Sequence, residues 1–182
     1  KIMKKILFLT VTLLFLTANT QAQLLQIGAK AGLNYANFSG TEIQTDAITS
    51  YHAGLIAEIK LLDKFAIQPE LLYSTQGASY ENAGEEFKNE LGYIAIPVLA
   101  KIYLGESFSM ELGPQASFLL SEKNNFDVAD YNTFDFAVAG GLSYKITKNF
   151  FVQGRYVLGL TEVSSNADAK NSTLQLSAGL MF

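Results

Sequence analysis

Ser172-Thr173-Leu174-Gln175-Leu176-Ser177-Ala178-Gly179-Leu180-Met181-Phe182 alternates without a break between apolar side chains and polar or small ones. Successive side chains of an extended strand point to opposite faces. Leu174, Leu176, Ala178, Leu180 and Phe182 therefore share one face, and Thr173, Gln175, Ser177 and Gly179 share the other. The alternation runs to an aromatic residue at the end of the sequence, which would leave a greasy edge in an open sheet. A sheet whose first and last strands pair has no edge, and closure is what allows β structure to sit in hydrocarbon. The stretch predicts a closed barrel if the other segments alternate as well.

They do. Leu25 to Tyr35, Tyr51 to Leu61, Phe65 to Gln76, Leu91 to Tyr103, Phe108 to Leu120, Thr133 to Ile146 and Phe150 to Leu160 each carry one apolar face. The fourth is the least regular, with Ile94, Ile96, Val98, Ala100 and Ile102 opposing Tyr93, Ala95, Pro97, Leu99 and Lys101. Segments of this length suit strands that cross a bilayer at a tilt. With the last stretch they make about eight, and the expected fold is all-β, a closed antiparallel up-and-down transmembrane β-barrel. Pro69 and Pro97 fall inside strands and predict bulges or interrupted pairing there.

The connections alternate in length. Leu62-Asp63-Lys64, Gly105-Glu106-Ser107 and Thr147-Lys148-Asn149 read as tight turns, whereas Ser39 to Ser50, Gly77 to Glu90, Ser121 to Asn132 and Thr161 to Asn171 read as long polar loops. Short turns at one rim and long loops at the other is the outer-membrane arrangement, with both termini periplasmic. Aromatics near the strand ends predict two girdles. Phe65, Tyr103, Phe108, Tyr144, Phe150 and Phe182 would form one, and Tyr35, Tyr51, Tyr73, Tyr93, Phe118 and Phe134 the other.

A soluble barrel alternates too, with its apolar face inward. The polar face decides between them, because it carries Gly28, Gly32, Gly54, Ala137, Ala139, Gly141, Ser143 and Gly179 where a solvated face would carry Lys and Glu. Small residues suit the crowded interior of a narrow barrel. Residues 1–22 read as a secretory signal peptide: Lys1, Lys4 and Lys5, the apolar run Ile6 to Leu16, and Thr20-Gln21-Ala22 as the cleavage site. The barrel domain is then 23–182. Removing the leader leaves 10 basic residues against 17 acidic ones, which speaks against nucleic acid as a partner. There is no cysteine, hence neither disulfide nor thiolate chemistry.

Ile27-Gly28-Ala29-Lys30-Ala31-Gly32-Leu33-Asn34, the pair His52 and Gly54, Phe65-Ala66-Ile67-Gln68-Pro69-Glu70-Leu71-Leu72-Tyr73-Ser74, and Ile96-Pro97 followed by Lys101 resemble the porin-family outer-membrane β-barrel domain, also called the PorT type. The Gln-Pro-Glu-Leu-Leu-Tyr run is the most specific piece. That family usually continues with a basic residue before Gly, and Thr75-Gln76-Gly77 departs from it. The resemblance implies an outer-membrane location and leaves the biochemical role open.

Six inward charges, Lys30, Glu58, Glu70, Lys101, Glu111 and Arg155, lie within a few residues of the short-turn rim and should share one depth. Isolated buried charge is costly, so opposite signs are expected to pair, with the multi-donor Arg155 as hub between Glu70 and Glu111. An eight-stranded barrel is just wide enough for side chains to fill it, which favours an ion-pair plug over an ion path. His52, the sole histidine, reads as a polar residue near the long-loop rim, with no second His or Cys for zinc. Asp127 and Asp130, like Glu81, Glu85 and Glu86, read as solvated acidic loops without EF-hand spacing. No catalytic triad or phosphate loop stands out, so no enzyme activity and no cofactor is expected. The expectation is a monomer with a structural, binding or surface-interaction role toward an extracellular or periplasmic protein, among outer-membrane lipid and lipopolysaccharide. A narrow passive channel and a PorT-like secretion assembly factor are the alternatives. Phe182 resembles the terminal signal read by barrel-assembly machinery.

Overall fold

The computed structural model describes residues 24–39, 46–82, 85–124, 132–164 and 167–182. The leader expected over residues 1–22 lies outside them, as do Asp127 and Asp130. Eight strands follow one another: β1 (Leu25–Ser39), β2 (Asp46–Leu62), β3 (Phe65–Asn82), β4 (Glu85–Tyr103), β5 (Phe108–Asn124), β6 (Phe134–Lys145), β7 (Phe150–Ser164) and β8 (Ala167–Met181). Each pairs antiparallel with its sequence neighbours, and β8 returns to β1 from Gly28↔Met181 to Ser39↔Lys170, so the barrel is closed. The opening stretch is the closing strand, with Ala31 opposite Ala178 and Leu33 opposite Leu176.

The strands are longer than their alternation suggests. β3 runs to Asn82 and β4 starts at Glu85, and β7 runs to Ser164 with β8 starting at Ala167. The long loops expected at Gly77 to Glu90 and Thr161 to Asn171 are thus mostly strand, and β2 and β5 likewise extend into the segments expected as loops. At about 3.3 Å per residue and a tilt near 40°, the 19 residues of β4 rise well beyond a ~25 Å apolar band. Beyond that band no lipid forces one face to be apolar, so the hydrophobic period fades while pairing continues.

Burial is inverted relative to a water-soluble protein. Leu33, Leu55 and Leu112 are each 59% exposed on the outer face, while Arg155 is 1% exposed and His52 and Asn34 are 0% exposed inside. Such an apolar belt requires lipid around it. Phe108, Tyr144, Tyr35, Tyr51, Phe118 and Phe134 face outward as expected of girdles, with the Phe118 and Phe134 rings 5.4 Å apart. Tyr93 and Tyr103 do not: both are buried in the lumen. Tyr103 shares the inward parity of Lys101, and Tyr93 that of Ala95.

Inward glycines let the strands close in on one another. A Cβ on Gly32 would sit 2.0 Å from the Leu176 carbonyl oxygen, and one on Gly54 would sit 2.0 Å from that of Leu71. The prolines interrupt pairing without adding a residue. Pro69 faces Val98, the ladder resumes at Leu72↔Ala95 in unchanged register, and on the next strand Pro97↔Gln115 resumes at Ala100↔Leu112. A ring without an N–H removes a rung and leaves the register intact. The bulges lie elsewhere. At the shift between Ala47 and His52 in β2, side chains take over the ladder: Thr75 Oγ1 accepts from the Tyr51 amide at 3.0 Å, and Ser50 Oγ donates to the Thr75 carbonyl at 2.7 Å.

Candidate functional site

Inward parity brings residues of all eight strands into the lumen, and the widest-reaching of them interlock. Arg155 of β7 clamps Glu70 of β3 with two parallel bonds, Nη1 to Oε2 at 2.8 Å and Nη2 to Oε1 at 2.7 Å. Its Nε donates to Glu111 Oε1 of β5 at 2.9 Å. Lys30 of β1 lies 2.9 Å from Glu70 Oε2 and donates to Gln153 Oε1 at 2.8 Å, and Gln153 Nε2 donates to Glu111 Oε2 at 2.8 Å. The circuit Arg155, Glu70, Lys30, Gln153, Glu111 closes on itself. It draws only on the odd-numbered strands. The even-numbered β6 yields room: a Cβ on Gly141, opposite Arg155 in the ladder, would lie 3.1 Å from Arg155 Cβ.

A second group adjoins it toward the short turns. Lys101 of β4 contacts Glu58 Oε2 of β2 at 3.0 Å and donates to Gln68 Oε1 at 2.9 Å, and the Tyr103 hydroxyl donates to Glu58 Oε1. Gln68 Nε2 donates to Glu70 Oε1 at 2.7 Å and joins the two groups. All six residues singled out in the sequence therefore meet in one continuous network, three cations against three carboxylates. Each carboxylate oxygen in it has a donor, the condition under which buried charge is tolerated.

His52 sits at mid-strand rather than near the rim, because β2 continues to Asp46. Its Nδ1 lies 2.7 Å from Asn34 Oδ1 and its Nε2 2.7 Å from Ser177 Oγ. Asn34 Oδ1 accepts only, so Nδ1 carries the proton and Nε2 accepts from the serine. Both ring nitrogens are occupied by protein. Asn34 Nδ2 donates onward to Ser74 Oγ at 3.0 Å and to the Thr75 carbonyl at 2.7 Å, and Gln175 Nε2 donates to Asn34 Oδ1 at 3.0 Å. Further toward the long connections, Thr161 Oγ1 donates to Asp135 Oδ1 at 2.6 Å.

Apolar side chains share the lumen with these polar groups. Leu99, Ala137, Ala139 and Val157 form one cluster in the lumen, and Ile56, Phe151 and Met181 another. Among the described residues no three His, Asp or Glu side chains are placed to hold a metal ion. Glu81 and Glu86 are backbone partners in the ladder between β3 and β4, as are Asn82 and Glu85. Phe182 is exposed on the outer face, and its amide donates to the Ile27 carbonyl at 2.8 Å.

Gln68, Gln153 and Tyr103 are the network members not foreseen as such. The glutamines stand two residues from Glu70 and Arg155 on the same faces, which was visible. An uncharged amide gives no sign that it bridges two ions.

The family model of the outer membrane protein beta-barrel domain matches residues 19–165. The match stops short of β8, which the structure supplies. Among solved structures, the attachment invasion locus protein Ail of Yersinia pestis has a TM-score of 0.57 at 13% identity over 86% of this chain and 98% of that one. Neisserial surface protein A gives 0.55 at 13% identity over 87% and 97%. OprG from Pseudomonas aeruginosa gives 0.53 at 12% identity over 86% and 95%. At such identities the likeness is one of fold. No curated protein matches the sequence.

Proposed function

Because the chain belongs to the outer membrane protein beta-barrel domain family, we propose that it is a surface-interaction barrel that works through the rim where β1 joins β2, β3 joins β4, β5 joins β6 and β7 joins β8, while the lumen serves as a structural plug. The closed circuit Arg155, Glu70, Lys30, Gln153, Glu111 carries this reading, since it bridges the walls at one level with every charge opposed. The apolar clusters around Leu99 and Phe151 support it further. A passive channel would have to break the circuit with each passage.

The charge of the sequence between the apolar strand segments favours one class of partner. Segments 39–50, 77–90, 121–132 and 161–171 hold eleven carboxylates against three lysines. Ail of Yersinia pestis has been crystallised with the heparin analogue sucrose octasulfate. Eleven carboxylates repel such a polyanion, and the chemistry suits a basic protein surface instead. The tight turns, Leu25 and Met181 lie at one rim, which supports both termini being periplasmic; the same reading takes the barrel as a monomer, inserted by barrel-assembly machinery into a membrane bearing lipopolysaccharide. The exposed aromatic Phe182 supports the assembly role. The PorT-type reading rests on the run from Gln68 to Tyr73, whose Gln68 and Glu70 are network residues. Refolded protein in planar bilayers should give no unitary conductance steps, and sustained steps in the wild type would overturn the plug. Copurification with a periplasmic secretion complex, in place of a surface partner, would favour the PorT-type role.

A further inference from the structure

We propose that the short-turn mouth of the barrel binds a phosphate dianion between Lys60 and Lys145. Lys60 ends the inward face of β2 and Lys145 that of β6, strands on opposite walls. Their side chains nevertheless converge on one ring. Nζ of Lys60 lies 5.5 Å from the Tyr103 centroid, and Nζ of Lys145 lies 5.1 Å from it. Lys101 also approaches this ring, at 5.7 Å, but Glu58 neutralises it. Glu58 is the inward carboxylate at this depth, and it is already engaged by Lys101 and by the Tyr103 hydroxyl. Among the described residues neither Lys60 nor Lys145 is in an ion pair.

Two ammonium groups outside any ion pair thus approach one aromatic ring at a mouth where long flexible stems give them access to water instead. The ring attracts each only weakly. An anion between them would turn their repulsion into two charge-assisted contacts. Space for it exists. Two adjoining cavities, of about 430 Å³ and 380 Å³, are both lined by Lys60, Asp63 and Lys145, the first also by Glu58, which Lys101 and Tyr103 engage, and the second also by Lys64 and Tyr103. Each is large enough for a phosphate with a small organic substituent. Lysines are compact charges with three rotatable donors, suited to a tetrahedral oxyanion, whereas the planar fork that selects a carboxylate is an arginine property. The carboxylates Glu58, Asp63 and Glu106 in the lining disfavour an extended polyanion and leave a compact dianion as the ligand.

Calorimetric titration of the refolded full chain in micelles tests this, with inorganic phosphate in one arm and glycerol 3-phosphate, the water-soluble form of a lipid phosphomonoester headgroup, in the other. Saturable binding of one dianion per chain is expected. Each of K60Q and K145Q should weaken it about ten- to a hundredfold, the loss of one charge-assisted contact, while K148Q at the neighbouring turn should leave it unchanged. Binding in both arms indicates a site for free phosphate, and binding of the ester alone indicates a headgroup site. Absence of saturable binding in both arms, or wild-type affinity in K60Q or K145Q, would overturn the proposal. The wild-type titration decides whether the site exists even where a variant fails to refold.

Discussion

Arg155 and Glu70 join opposite walls of the barrel, β7 to β3, through two parallel bonds of 2.8 and 2.7 Å with both side chains fully enclosed. They form a strut across the lumen, and Glu111 and Lys30 brace it from β5 and β1. Two opposed partners fix the guanidinium plane, so the wall-to-wall distance is set as well as the charge balance.

Arg155→Leu removes the strut and leaves Glu70 and Glu111 with Lys30 as their remaining cation. Breaking a buried pair from one side costs about 3–5 kcal/mol. The urea midpoint for unfolding from lipid vesicles should fall accordingly, and the heat-modifiable band on unboiled gels should weaken. Lys148→Gln, in an exposed turn, should change neither. An unchanged midpoint for Arg155→Leu would sink the network.

Removing volume together with charge should open the lumen. Arg155→Ala combined with Glu70→Ala deletes the strut from both ends and leaves fewer side chains at that level. Planar-bilayer recordings of the double variant should show unitary conductance absent from the wild type. A silent double variant that still runs as a folded barrel would mean that the apolar clusters near Leu99 and Phe151 seal the lumen by themselves.

Glycines on the two faces should respond differently. Gly32→Ala places a methyl group 2.0 Å from the Leu176 carbonyl and 2.8 Å from His52 Cε1, a clash that only backbone movement relieves. Overpacking of this kind costs about 1–3 kcal/mol, and folded yield should drop. At Gly154, facing lipid, the nearest atom to a new Cβ is Leu176 Cδ2 at 3.8 Å, so Gly154→Ala should refold like the wild type. Equal yields for the two would contradict the close approach of β1 to β8.

Leu112→Arg places a charge on the lipid-facing belt, opposite Ala100 and Gly140 in the ladder. Near the bilayer midplane this costs about 2–4 kcal/mol. Refolding into vesicles should suffer far more than refolding into small micelles, where a long side chain can reach water. Equal recovery in both would place this face outside the hydrocarbon.

Much of this was legible in the sequence, because period-two alternation is imposed wherever one face meets lipid. It gave the strands, their faces and the six charges that meet inside. It failed where its physical cause fails. Above the bilayer neither face is forced to be apolar, so the ends of β3, β4, β7 and β8 looked like loops. Tyr103 looked like a girdle residue, since an aromatic beside a turn suits an interface equally well; only its parity with Lys101 tells otherwise. That Lys30 would find Gln153 depends on the stagger between β1 and β7 around the circumference, which no local pattern encodes.

The circuit of Arg155, Glu70, Lys30, Gln153 and Glu111 also constrains the order in which the barrel can form. Its members are spread over β1, β3, β5 and β7, with both Arg155 and Gln153 on β7. A chain folded only as far as β6 holds Glu70 and Glu111 against Lys30 alone, one negative charge in excess, and must keep water in its half-built interior. Arrival of β7 brings the missing cation and the bridging amide together. The circuit therefore predicts that the lumen dries in a single late event, coupled to closure, rather than losing water gradually as the strands accumulate.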